Sequence, residues 1–143
     1  MTFSNQYNIF LRAAITWLLF IPIVFINATI RELVYKPFVG ELAAHQISTV
    51  LASAAFFILA YLRFRNHVQT VSKSSLFLIG CMWLIMTVLF EFALGRFVTG
   101  ASWNKIFYDY NILEGRIWIL LLITLLVTPF IVKQLTPTKT SPY

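Results

Sequence analysis

The sequence predicts an all-α integral membrane protein: a four-helix bundle of two helical hairpins, with a short interfacial helix between spans three and four. Three observations carry this reading. With 59% hydrophobic residues and only 11% charged, the 143-residue chain is too apolar for a soluble domain. Its apolar residues collect in four runs, each near the roughly 20 residues that cross a hydrocarbon core of about 30 Å. All five acidic residues, Glu32, Glu41, Glu91, Asp109 and Glu114, fall at one end of that pattern, and the other end carries only basic charge. The whole chain, 1–143, reads as a single transmembrane domain.

The spans lie at roughly 10–30, 42–62, 75–96 and 113–135. For the first, an uncleaved span fits better than a secretory signal. Its apolar stretch from Ala13 to Ile26 is long, and Ile26 and Ala28 before Thr29 make a poor cleavage site. Pro22 and Pro129 sit inside spans one and four, where each removes a helical hydrogen bond and reads as a packing kink. Cys81 has no second cysteine to pair with and reads as a small buried hydrophobe. Asn27-Ala28-Thr29 matches a glycosylation sequon, but at the end of a span it is out of the modifying enzyme's reach and reads as a chance match.

A net charge of +6 in a soluble protein would suggest nucleic acid as partner. Here the cations flank apolar runs, so the expected partner is the lipid bilayer and nucleic acid is set aside. Arg12, Arg63, Arg65, Lys73, Lys133 and Lys139 lie on one side, against Arg31, Lys36, Arg96, Lys105 and Arg116 on the other. Six basic residues against five satisfy the positive-inside rule only narrowly, and several of the five stand beside acids. On this count both termini are expected in the cytoplasm.

Every span contributes polar groups at the acidic end. Asn27 and Arg31 are one turn apart in span one, and Glu41, His45, Ser48, Thr49 and Ala52 form one stripe of span two. Thr87, Glu91 and Gly95 repeat at intervals of four in span three, and Asn111, Glu114, Gly115, Arg116 and Trp118 open span four. Glu91 stands out, because it is flanked by apolar residues until Arg96. A carboxyl group there must protonate or find a cation, and Arg31, Arg96 and Arg116 are the candidates. Together with Asp109, these groups form either a buried ion-pair cluster or a ligand-binding site. Glu41 and His45, at i and i+4, are weak candidates for a divalent metal site that Glu91, Asp109 or Glu114 would complete; the competing reading of His45 is a hydrogen-bonded helix cap. His67 is expected at the opposite membrane face, and no other cofactor is implied.

Between spans three and four, Trp103, Ile106, Phe107 and Tyr110 recur at helical spacing opposite Asn104, Lys105, Tyr108 and Asp109, with Ser102 placed to cap. This predicts an amphipathic helix at about 102–110 lying in the interface, its aromatics forming a membrane belt or a lid over the polar end. Lys36-Pro-Phe-Val-Gly40 and Arg96-Phe-Val-Thr-Gly100 echo one another, as two hairpins related by an axis along the membrane normal would require.

The runs Asn27-Ala-Thr-Ile-Arg-Glu-Leu33, Gly40-Glu-Leu-Ala-Ala-His-Gln46, Phe90-Glu-Phe-Ala-Leu-Gly-Arg96, Gly100-Ala-Ser-Trp103, Asp109-Tyr-Asn111 and Gly115-Arg116 resemble a group of small bacterial four-span inner-membrane proteins of uncharacterised activity. The resemblance implies a bacterial inner-membrane location and a helical bundle, and supplies no activity.

Three functions are weighed on these residues. The leading expectation is an accessory or structural subunit of a membrane assembly, its charges serving as interhelical staples. The alternative is binding or permeation of an ion, a lipid headgroup or a small solute through the polar site, with a homodimer or a larger complex needed for a transport path. A membrane enzyme using Glu91 or His45 as acid or base ranks third, since no spacing fixes a nucleophile or metal. Complete pairing of the charges without a cavity would favour the staple; an open cavity lined by an unpaired carboxylate or guanidinium would favour binding.

Overall fold

A computed structural model describes residues 3–137, with side chains described from Asn8 onward; Lys139, counted above among the basic residues, lies outside the described residues. The described chain is helical without strands. Its helices are α1 (Phe3–Ile30), α2 (Lys36–Phe64), α3 (Lys73–Ala93), α4 (Trp103–Tyr108) and α5 (Trp118–Leu135). Five-residue π-helical turns, Arg31–Tyr35 and Leu94–Val98, extend α1 and α3. Three helical stretches are long and apolar enough to cross a membrane: Asn8–Phe64, Lys73–Val98 and Trp118–Leu135.

The first of these has 57 residues, which would run about 85 Å if straight, nearly three times the hydrocarbon core. It is not straight. Gly40 takes φ +79° and ψ 171°, outside the helical region, where a residue without Cβ is at little disadvantage. Residues on its two sides lie against each other: Asn27 Nδ2 donates to the carbonyl oxygen and hydroxyl of Ser48 at 2.9 and 2.8 Å. The rings of Phe20 and Phe56 meet edge to face at 4.8 Å.

The other contacts are equally specific. Trp17 Nε1 donates to Thr87 Oγ1 at 2.8 Å, and Trp83 Nε1 donates to the Ala13 carbonyl at 2.9 Å, so each of α1 and α3 sends an indole N–H to the other. A buried indole needs such an acceptor. Gly80 of α3 lies so close to Leu126 of α5 that an added Cβ would fall 2.4 Å from the Leu126 carbonyl oxygen. Gln46 bonds the Gly115 carbonyl and Gln69 the Lys133 carbonyl, both at 2.9 Å, joining α2 and the segment after it to the two ends of α5. Lys133 Nζ in turn donates to the Val71 carbonyl at 2.5 Å.

Backbone packing therefore follows the order α1, α2, α5, α3 and back to α1. An axis along the membrane normal would set α1 diagonally from α3, whereas the two are neighbours; the echo survives in the turns, where Gly40 and Gly100 both have positive φ. Trp83, Phe56, Phe64, Ile79, Leu121 and Leu125 fill the centre. Two buried hydroxyls are satisfied within their own helices, Thr16 to the Arg12 carbonyl and Thr49 to the His45 carbonyl, whereas Ser53 Oγ has no partner among the described residues. Outward-facing Leu18, Ile58, Leu62, Phe77, Ile85, Leu89 and Ile123 are exposed, a surface suited to lipid tails.

The last long helix starts at Trp118, five residues after the start expected for span four. Asn111 accepts from Leu113 N and opens a 3₁₀ turn at Ile112–Glu114, and Gly115 follows in the left-handed region at φ +78°. A short helix lies within the expected 102–110 segment: the Ser102 hydroxyl accepts from Lys105 N at 3.3 Å and α4 follows. Its apolar side packs on the end of α3, with Ile106 buried against Gly95 and Phe92 touching Trp103, Phe107 and Tyr110. Trp103 and Phe107 nevertheless remain about half exposed, at 49% and 57%, which leaves them available to an interface.

Candidate binding cavity

Docking of α4 on α3 brings Tyr110 over Glu91, and the α3–α5 contact brings Trp118 to the same carboxyl group. Tyr110 Oη and Trp118 Nε1 both donate to Glu91 Oε2, at 2.5 and 2.6 Å. The second oxygen, Oε1, has no hydrogen-bond partner among the described residues. Burial and the adjacent Glu91 raise the Tyr110 pKa well above the ordinary phenol value, so Tyr110 stays a donor throughout the physiological range.

None of the three arginines nominated by the sequence pairs with Glu91, because each is engaged elsewhere. Arg116 is buried; its Nη2 bonds Glu41 Oε1 at 3.1 Å, its Nη1 lies 3.4 Å from Asp109 Oδ1, and its guanidinium stacks 4.8 Å from the centre of the Tyr108 ring. Arg31 pairs with Glu32 at 3.2 Å, and Lys36 reaches the other oxygen of that carboxylate at 2.9 Å. Arg96 is exposed over the face of Trp103 at 5.8 Å.

The remaining residues separate into structural and exposed roles. Asn27 ties α1 to Ser48, Asn111 caps its turn, and Glu114 is exposed. His45 does not cap a helix end: it lies inside α2, buried, with Nε2 unpartnered among the described residues, 6.4 Å from the Trp118 ring centre. Glu41 has turned to Arg116, and no three His, Cys, Asp or Glu side chains gather as a metal site among the described residues.

Between α1 and α3, above the Trp17–Thr87 bond, the helices leave a cavity of about 270 Å³. Phe20, Val24 and Phe25 from α1, Phe90 from α3 and Leu121 from α5 form its apolar walls. Arg31, His45, Glu91 and Asp109 line its polar end. The space is thus amphiphilic, with an apolar body and a head region holding one half-satisfied carboxyl group and one unpartnered imidazole nitrogen. Sequence reasoning found Glu91 and His45 as polar residues but not the cavity, because Trp17 and Phe20 look like ordinary span residues. The available signal was Trp118, an indole donor placed at the polar level in a chain with an isolated carboxyl group. No protein-family model, curated protein or solved structure matches the chain.

Proposed function

We propose that the chain crosses a bacterial inner membrane four times, as two helical hairpins with both termini cytoplasmic, and binds an amphiphilic small molecule in the α1–α3 cavity. The break at Gly40 and the contacts Asn27–Ser48 and Phe20–Phe56 support counting the first long stretch as two crossings. The excess of Lys and Arg beside the termini supports the orientation, and the resemblance described above supports the location. The observation that carries the function is the cavity itself, with His45 Nε2 buried and unpartnered at its polar end, both donors to Glu91 placed on Oε2 rather than Oε1, and phenylalanines along its length. The ligand class is a molecule with an apolar body and a hydrogen-bonding head, such as a hydroxyl or an amine, able to pair with a carboxyl group and an imidazole nitrogen.

The test uses brominated long-chain alcohols, amines and carboxylates as quenchers of Trp17 and Trp118, with the protein in nanodiscs. Binding predicts saturable quenching by the alcohol or amine, abolished when Val24→Trp fills the cavity. Quenching that rises only in proportion to bilayer partitioning, and equally in both proteins, would rule the reading out.

An accessory or structural subunit is the second reading, favoured by Arg116, whose two carboxylate partners tie α2, the α4 segment and α5 together. On that reading Val24→Trp leaves function intact, and loss of Arg116 abolishes co-purification with a membrane complex.

A further inference from the structure

A second recess, of about 230 Å³, lies at the basic end, lined by Asn8, Ile9 and Arg12 of α1 and by Asn66, His67, Thr70 and Val71 of the α2–α3 connection. Its chemistry is the inverse of the first. It offers a guanidinium, two amides, an imidazole and a hydroxyl, and no carboxylate lines it. The nearest acidic residue along the chain is Glu32 on the α1 side and Glu91 on the α3 side, both at the far end of their helices. Arg12 makes no ion pair, and the side chains of Asn66 and His67 make no hydrogen bonds, among the described residues. Ile9 and Val71 are buried and floor the recess, so the polar groups stand around an apolar base. Arg12 and His67 line this one recess together, and burial and then the Arg12 guanidinium hold His67 below the usual histidine value.

We infer that this recess binds a phosphate group, with Arg12, His67 and the Asn66 and Asn8 amides around its oxygens. The shared chemistry admits an anionic phospholipid headgroup or a free phosphate. The position at the ends of the spans, where lipid phosphates lie, and the apolar floor beneath the polar ring both suit a headgroup. Guanidinium and imidazole donors suit a tetrahedral oxyanion. Neighbouring Arg63, Arg65, Lys73 and Lys133 add positive field without entering the recess.

The experiment compares wild type, Arg12→Gln, His67→Gln and the surface control Arg65→Gln. All are placed in nanodiscs of mixed phosphatidylglycerol and phosphatidylcholine, and retained lipid is counted by native mass spectrometry. Wild type and Arg65→Gln should retain phosphatidylglycerol in preference, and each recess variant should lose about fivefold of that preference. In parallel, His67 imidazole resonances are followed while inorganic phosphate is added to protein in neutral detergent. A lipid preference carried by Arg12 and His67 identifies the headgroup as the source; a saturable imidazole shift with inorganic phosphate, lost in Arg12→Gln, identifies free phosphate. Equal loss of lipid preference in Arg65→Gln, or no response to either probe, overturns the site. Because the recess is at the opposite end from Glu91, its failure leaves the cavity reading untouched.

Discussion

Gly80→Ala probes the contact between α3 and α5 on which the cavity depends. The added methyl would lie 2.4 Å from the Leu126 carbonyl oxygen and 3.1 Å from its carbon. Carbon and carbonyl oxygen come no closer than about 3.3 Å even in favourable C–H···O contacts, so the helices must part by about 0.9 Å. Neither side can yield locally, since both residues are in helix interiors. Overpacking of this kind costs about 1–3 kcal/mol. The displacement also reaches the site: Glu91 lies about 16 Å further along α3 and bonds across the same pair of helices. Its 2.6 Å bond to Trp118 would stretch to about 3.5 Å, beyond hydrogen-bonding range. Reversible unfolding in mixed micelles measures the first effect, and a red-shifted Trp118 emission, read in a variant lacking the other tryptophans, measures the second. Gly95→Ala is the control, because its methyl meets only the flexible end of Ile106, at 3.1 Å, and should cost less than about 1 kcal/mol. If Gly80→Ala unfolds within about 0.5 kcal/mol of wild type, the close approach of α3 and α5 is wrong, and with it the placement of Trp118 at Glu91.

Arg116→Gln removes the cation shared by Glu41 and Asp109 and should free the 99–117 segment, seen as limited proteolysis there at least several times faster than in wild type; an unchanged rate removes the staple. Tyr110→Phe deletes one of the two donors to Glu91 and should destabilise the protein by about 1–3 kcal/mol, while Tyr108→Phe, whose ring still faces Arg116, should not. His67 should titrate below 6.5, its imidazolium disfavoured first by burial and then by Arg12. The sign follows: His67 opposes folding as pH falls through 6.5, and Arg12→Gln should move its titration upward, with an unmoved NMR midpoint counting against their proximity.

Features encoded locally could be read from the sequence. Apolar runs, the Ser102 cap and the i, i+3, i+4, i+7 spacing of Trp103, Ile106, Phe107 and Tyr110 each depend on a few neighbouring residues, and they predicted the helices and the position of α4. Partner choice was not legible. Glu91 was expected to protonate or to find a cation, with Arg31, Arg96 and Arg116 as candidates because they lie at its depth. The actual partners follow from the register of α3 on α5, which is set by a close approach at Gly80 that nothing in the composition announces. The late start of the last helix has a similar cause. Residues 113–117 are compatible with a span by hydropathy, but the Asn111 cap and the left-handed Gly115 hold them as a turn. That turn aims Arg116 at Glu41 and Asp109.

The allocation of charge at the acidic end argues for a ligand more strongly than the cavity volume alone. A bundle selected only for cohesion would gain most by giving its most buried carboxyl group a cation, since an unpaired buried charge is the costliest arrangement and neutral hydrogen bonds return only part of the loss. Here the opposite distribution holds. The exposed Glu32 has two cations and the largely exposed Glu41 shares a buried arginine, while Glu91, deepest of the acids, receives two neutral donors on one oxygen. Tyr110 and Trp118 also fix its orientation, leaving Oε1 without a protein partner on a group that lines the cavity. His45, on the adjoining wall, is buried with a free ring nitrogen in the same space. One buried ring nitrogen without a protein partner and one carboxyl oxygen that receives no hydrogen bond from the described residues thus border the same cavity, which is the polar complement a ligand head would need. Glu91→Gln, whose amide oxygen can still accept from Tyr110 and Trp118, combined with His45→Phe should therefore keep the stability within about 1 kcal/mol of wild type while abolishing saturable quenching by the brominated alcohol or amine. A double variant that loses stability instead would return Glu91 to the role of staple.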